Sequence, residues 1–188
     1  MKDENELRES LVASRSIYEG KVLHLYVDDI SLPNGKPALR EYVKQVNAVA
    51  VLPLTDENEV ICVRQYRYAH GRVMLEIPAG KLNSFDEDPE LGARRELREE
   101  TGAECARLIP LGGFIGSPAI LTEVVGLYLA TGLSFHAPSP DEDEFLEVVK
   151  FPLSKLVDMV LSGEIEDGKT QAAILKAAEY LRRKGEAK

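Results

Sequence analysis

Between Pro89 and Gly102 the chain runs PELGARRELREETG, a stretch whose residues agree on a single helix. Asp86 or Asp88 supplies an N-cap, Pro89 suits a first turn, and Gly102 sits where a helix stops, so a helix is expected over Asp86 to Thr101. Glu96, Glu99 and Glu100 stand at i, i+3 and i+4. At about 100° per residue the three share about a third of the helix circumference. Like charges at i, i+4 destabilise a plain helix by about 0.2–0.5 kcal/mol. A cation between them reverses that sign, and hard cations such as Mg²⁺ take carboxylate oxygens together with waters and substrate phosphates. A solvated, ion-paired face carries the same residues, with Arg95–Glu99 as an i, i+4 pair and Leu91 and Leu97 as the buried stripe. Three neighbours favour the cation site. Gly80 lies upstream in a Pro-x-Gly turn where the Ala79 carbonyl can face the cluster, the helix stops sharply at Gly102, and Glu87 lies one helix length before Arg95.

The rest of the chain sets the frame for that helix. Its 188 residues suffice for one full domain plus a small one, with a core that needs no disulfide. The formal net charge of −9 argues against nucleic acid as a partner, which needs a basic footprint. Phosphate ligands stay open, because a bound divalent cation inverts the local field. Cys62 and Cys105 have no metal-type spacing and read as buried thiols of a reducing compartment. His24, His70 and His136 show no ligand spacing either. The opening MKDENELRES lacks the apolar centre of a signal peptide, and no apolar run approaches bilayer length. A cytoplasmic protein without membrane contact is expected.

Ser16 to Lys44 alternates as strands do, and Asn34-Gly35 marks a hairpin between two such runs. Residues 1–45 therefore read as a small antiparallel β domain, set apart from a larger domain over 46–188. In the larger part, strands are expected at Asn47 to Leu54, Val60 to Tyr68, Arg107 to Phe114, Glu123 to Thr131 and Glu144 to Phe151. Pro78 and Gly80 are expected to break regular structure in LEIPAGKL. Helices are expected at Leu153 to Ser162 and Lys169 to Arg183, the latter burying Ala172, Leu175, Ala178 or Glu179, and Leu181. Strands and helices mix without regular alternation, which points to an α/β fold with a mixed sheet sandwiched by helices.

The helix and its surroundings resemble the Nudix hydrolase family. The family signature is Gly, five residues, Glu, seven residues, then Arg-Glu-apolar-x-Glu-Glu-x-Gly-apolar. Its second half is complete here from Arg95 through Glu96, Glu99 and Glu100 to Gly102 and Ala103. Glu87 has the right gap to Arg95, but six residues rather than five separate it from Gly80, so the loop KLNSFD is one residue longer than the signature. VRQYRY, LEIPAGKL, GSPAILTE and DEDEFLEV further resemble the ADP-ribose pyrophosphatase branch, with Pro118 placed like that branch's proline after the signature and Ala119 where a glycine is usual.

The resemblance implies a Nudix-type α/β/α sandwich with a mixed sheet, an N-terminal β domain, and a homodimer that exchanges those domains. It implies hydrolysis of ADP-ribose to AMP and ribose 5-phosphate with Mg²⁺, for which Mn²⁺ would substitute. Alternatives are another nucleoside diphosphate sugar such as a GDP-sugar, or a non-catalytic sensor of such a ligand. By carry-over Glu96 and Glu100 are the main metal ligands, Glu99 and the Ala79 carbonyl complete the set, and Arg95 orients the carboxylates. Arg67 matches the position that grips substrate phosphate, Glu76 and Glu123 match polar positions near the cleft, and Arg40 and Glu41 lie where related dimers approach the adenine. The acidic loop PSPDEDEF supplies the base: Glu142 first, Glu144 second and also a candidate metal ligand. A base near neutral pH must sit beside the attacking water, and loop closure would bring it there.

Overall fold

The structure, a computed structural model, describes residues 3–137 and 145–185. The chain divides into two compact units: Met1–Val46 with Gly116–Glu123, and Asn47–Ile115 with Val124–Lys188.

The first unit is an antiparallel sheet of β1 (Ser10–Glu19), β2 (His24–Ser31) and β3 (Pro37–Lys44), in that order. The Asn34-Gly35 hairpin forms as the sequence predicts: Gly35 takes φ +78°, and the Asn34 side chain accepts the Lys36 N–H at 3.1 Å. β1 begins at Ser10, six residues ahead of the expected start, because Ser10 to Arg15 also pair with β2, with a register shift between Leu11 and Ala13. Residues 116–123 join this unit through hydrogen bonds to the end of β3, where Val43 N–H donates to the Ile120 carbonyl at 2.8 Å and Thr122 N–H to the Val43 carbonyl at 3.2 Å.

The second unit is built on a mixed sheet. Its strands are β4 (Ala48–Pro53), β7 (Ala79–Lys81), β8 (Ala103–Phe114) and β9 (Val125–Phe135), ordered β7-β4-β9-β8 with β4 parallel to β9. Alternation along β4 sends Val49 and Val51 to one face, with Ala93 and Leu97 of α1 (Pro89–Thr101). Ala50 and Leu52 go to the other face, with Ile174 and Ala177 of α3 (Gly168–Lys184). The result is the expected helix–sheet–helix sandwich. A second antiparallel sheet, β10-β5-β6, comprises β5 (Glu59–Arg67), β6 (Arg72–Glu76) and β10 (Leu146–Pro152), with α2 (Leu153–Leu161) following directly. Among the described residues no helix is long and apolar enough to cross a membrane.

Three local expectations change. Pro78 ends the gap after β6, but Gly80 does not break structure: it lies inside β7, opposite Val49 of β4, without a positive φ. The signature helix starts at Pro89 rather than Asp86, because Asp88 is the residue whose carboxylate accepts the Glu90 N–H (2.9 Å). α3 buries Thr170, Ala173, Ile174, Ala177 and Leu181, while Leu175 is 40% exposed. The buried stripe rotates because the Thr170 hydroxyl accepts the Ile77 N–H at 3.0 Å, which brings a polar residue onto the inward face.

Candidate active site

Capping fixes α1 at both ends. Asp88 caps the start and Pro89 follows it, while Gly102 at φ +70° returns its N–H to the Arg98 carbonyl at 2.8 Å. A cap of the Asp88 kind contributes about 1 kcal/mol. The inward face of the helix then carries Gly92, Ala93, Glu96, Leu97, Glu100 and Thr101. Burial of Leu97, worth about 1.5–3 kcal/mol, draws the face down onto the sheet. Glu96 and Glu100 go with it, at 7% and 3% exposure, although carboxylates rarely reach such depth without a partner. Glu99 sits at the border of that face, with its side chain 37% exposed.

Arg95 ties the cluster together. Its Nη1 donates to Glu96 Oε1 at 2.5 Å and to Glu99 Oε2 at 3.2 Å, and its Nη2 donates to the Lys81 carbonyl of β7 at 3.1 Å. Its Nε lies 3.5 Å from Glu87 Oε1. Glu87 in turn accepts the Asn83 backbone N–H, and the Asn83 amide donates to it at 3.2 Å. That backbone hydrogen bond, together with the Arg95 charge, lowers the Glu87 pKa. The extra residue of the KLNSFD loop is thus taken up in a closed turn bound to Glu87, and Glu87 ties that turn to Arg95.

Gly80 provides the seat. A Cβ at this position would lie 2.2 Å from Glu96 Cδ and Oε2 and 2.3 Å from Oε1. Only a residue without a side chain lets the Glu96 carboxylate rest against the β7 backbone. Two buried carboxylates one turn apart, one of them seated on bare backbone, are a donor set that suits a divalent cation. Among the described residues no three acidic, histidine or cysteine side chains already converge as a cage. An ion of the Mg²⁺ type needs none, since it keeps waters and takes substrate phosphate oxygens in place of protein ligands.

A second cluster surrounds Glu76, the last residue of β6, which is 2% exposed. Glu76 pairs with Val63 across the β5–β6 ladder, and Arg67 lies four residues further along the same face of β5. Arg67 grips both carboxylate oxygens, Nε to Oε1 and Nη2 to Oε2, each at 2.7 Å. Lys169 of α3 donates to Oε2 at 2.5 Å and lies 3.0 Å from Asp167. Burial pushes the Glu76 pKa up, but the bonds from Arg67 and Lys169 outweigh it and hold the carboxyl at about 2. Arg67 is kept charged by its bond to Glu76 and, to a smaller extent, by the charges of Asp167 and Glu100.

Sequence reasoning marked Arg67 and Glu76 but passed over Lys169 and Asp167. A signal was present. Asp167 is an N-cap residue, so Lys169 falls in the first turn of a helix, where the macrodipole disfavours a cation.

The remaining candidates belong to other segments of the chain. Arg40 on β3 is bound to Glu9 through two nitrogens, one at 3.0 Å, and Glu41 beside it is exposed. Pro118 stands in a turn closed by the Ile120 and Leu121 N–H groups on the Ser117 carbonyl (3.1 and 2.9 Å). Glu123 is half-buried at the end of the same segment. All four belong to the first unit, whereas Arg67, Glu76, Ala79, Gly80 and the α1 residues belong to the second. Glu142 and Glu144 lie outside the described residues.

The NUDIX domain family matches residues 44–173 of this chain. An ADP-ribose pyrophosphatase of Bacillus subtilis (strain 168) is 45% identical over 170 residues, covering 89% of this chain and 91% of the relative. A methanol dehydrogenase activator of Bacillus methanolicus is 41% identical over 180 residues, covering 94% and 97%. The crystal structure of an ADP compounds hydrolase superimposes with a TM-score of 0.85 over 96% of this chain and 98% of that one, at 21% identity.

Proposed function

This chain belongs to the Nudix family, and on that premise we propose that it hydrolyses the pyrophosphate of ADP-ribose, giving AMP and ribose 5-phosphate with Mg²⁺ as cofactor. The observation that carries the reading is the seat at Gly80, where a buried Glu96 rests on bare backbone one helical turn from a buried Glu100. Glu96 and Glu100 hold the cation, with Glu99 and the Ala79 carbonyl as further ligands, and Mn²⁺ is a competent substitute. The bound cation supplies neutralisation of the phosphate oxygens. Arg95 fixes the carboxylates against β7 and the 83–87 loop. Arg67 presents a charged guanidinium to substrate phosphate, and Glu142 or Glu144 takes the proton from the attacking water.

The choice of ADP-ribose rests on the 45% identity to an ADP-ribose pyrophosphatase over most of both chains. Arg40, Glu41 and Glu123 are the candidates for reading the adenine and the sugar. The protein is proposed to act as a homodimer through its first unit. There the edge strand β1 exposes Leu11, Val12, Ile17 and Tyr18, each more than half accessible, which a lone edge strand does not normally show.

Incubation with ADP-ribose, GDP-mannose and other nucleoside diphosphate derivatives, with Mg²⁺ or Mn²⁺ in ¹⁸O-water, tests the reading. ADP-ribose is expected to be cleaved fastest, with label in only one of the two phosphate products. Preference for a GDP-sugar would replace the substrate, and tight binding without cleavage of any compound would make the protein a sensor. For the base, Glu142→Gln is expected to slow turnover by about a hundredfold or more, with a smaller loss for Glu144→Gln. The reverse order would make Glu144 the base, and two unimpaired variants would place it outside this segment.

A further inference from the structure

We infer that Lys169, at the first turn of α3, is a positioning residue for the reaction: it locks the Glu76 carboxylate so that Arg67 is held ready for substrate phosphate. The inference deepens the pyrophosphatase reading and rests on it.

The starting point is the tetrapeptide Asp167-Gly168-Lys169-Thr170, in which each residue has a separate contact. Asp167 caps α3 by accepting the Thr170 N–H at 3.0 Å. Gly168 leaves room for the Phe114 ring, whose Cζ would lie 3.0 Å from a Cβ there. The Thr170 hydroxyl receives the Ile77 N–H, so this turn is fastened to the residue that follows Glu76. Lys169, only 16% exposed, spends its ammonium on Glu76 (2.5 Å) and Asp167 (3.0 Å).

Helix energetics do not call for a lysine at this place. A cation in the first turn opposes the macrodipole, and a buried ammonium is costly unless paired. Its contacts show what it does instead. Glu76 is 2% exposed, and Arg67 gives each of its oxygens one hydrogen bond, which leaves a buried carboxylate with room to accept more. Lys169 adds a second bond to Oε2, from α3, and so braces the carboxylate against both β5 and the helix. Arg67, whose side chain is 40% exposed, is thereby gripped on Nε and Nη2, and its Nη1 faces away from the pair. Arg67, Glu76, Lys169 and Asp167 sum to zero charge, so the outer guanidinium is held in place without a net buried charge. A substrate phosphate then meets an arginine whose ordering cost has been met within the folded protein.

The test is a double-mutant cycle on the full chain, with ADP-ribose and Mg²⁺. Lys169→Met keeps the length and apolar packing of the stem and removes the charge. It is expected to lower kcat/KM by about tenfold or more in the parent background, and by less than about twofold when Arg67 is already alanine. Lys169→Arg is expected to recover part of the loss, because a guanidinium also reaches a carboxylate. Thermal melts of each variant show whether the fold persists. Equal losses with and without Arg67 would overturn the inference, since Lys169 would then act independently of that arginine. So would a Lys169→Met enzyme as active as the parent. A parent protein that cleaves no nucleoside diphosphate overturns the functional reading itself, and this inference with it.

Discussion

Glu100→Gln is expected to lower turnover by about a hundredfold or more while leaving the fold intact. The substitution exchanges one oxygen for an amide nitrogen at a position only 3% exposed, so shape and packing survive. What changes is the charge available to a cation. Glu96 and Glu100 are like charges at i, i+4 on the buried face of α1, a pairing that costs the metal-free helix a few tenths of a kcal/mol, about 0.2–0.5. Without divalent cation the variant should therefore melt at the same temperature as the parent or slightly higher. With cation at about a hundred times its dissociation constant, the parent gains about 2.7 kcal/mol, and the variant should gain far less. Turnover assays and melts with and without Mg²⁺ and Mn²⁺ separate these effects. Activity within about twofold of the parent would reject the cation site, whatever the melts show. A variant destabilised equally with and without metal would make Glu100 a structural residue instead.

The sequence exposed α1 because several independent signals converged there: Asp88 and Pro89 at one end, Gly102 at the other, and a spacing that put Glu96, Leu97 and Glu100 on one face. The hairpin at Asn34-Gly35 was legible for a related reason, since that turn chemistry is local. What escaped depends on contacts between distant segments. Leu91 and Leu97 looked equivalent as apolar residues, yet Leu91 is 63% exposed and Leu97 fully buried, and only the position of β4 decides between them. α3 offered two apolar stripes, and the choice fell to the bond from Ile77 to Thr170, 93 residues apart. The Lys169–Glu76 pair spans the same separation and left only an indirect trace, a lysine where a helix start does not favour one. Gly80 was found by the spacing of the signature but explained wrongly from composition: a glycine two residues after a proline looks like a turn, whereas this one is a strand residue kept bare for a carboxylate.

That difference makes Gly80→Ala the sharper experiment on the seat. Gly80 does not have a positive φ, so the backbone itself has no objection to alanine. Replacing glycine at a compatible site commonly stabilises by about 0.4–1 kcal/mol through the unfolded chain. The nearest conflict is with Glu96, whose carboxyl atoms would lie 2.2–2.3 Å from the new methyl group. These atoms are the end of a flexible side chain, so the carboxylate moves and the sheet does not. In moving it gives up its place against β7 and strains the 2.5 Å bond from Arg95. The expected outcome is a thermal midpoint close to that of the parent, weaker binding of Mn²⁺ in a direct titration, and kcat/KM lower by about ten- to a hundredfold. If Gly80 mattered only for the backbone of β7, the same variant would lose stability, and its remaining folded fraction would bind Mn²⁺ normally. An alanine enzyme with parental cation affinity and parental activity would mean that the Glu96 carboxylate has no work to do where the structure puts it.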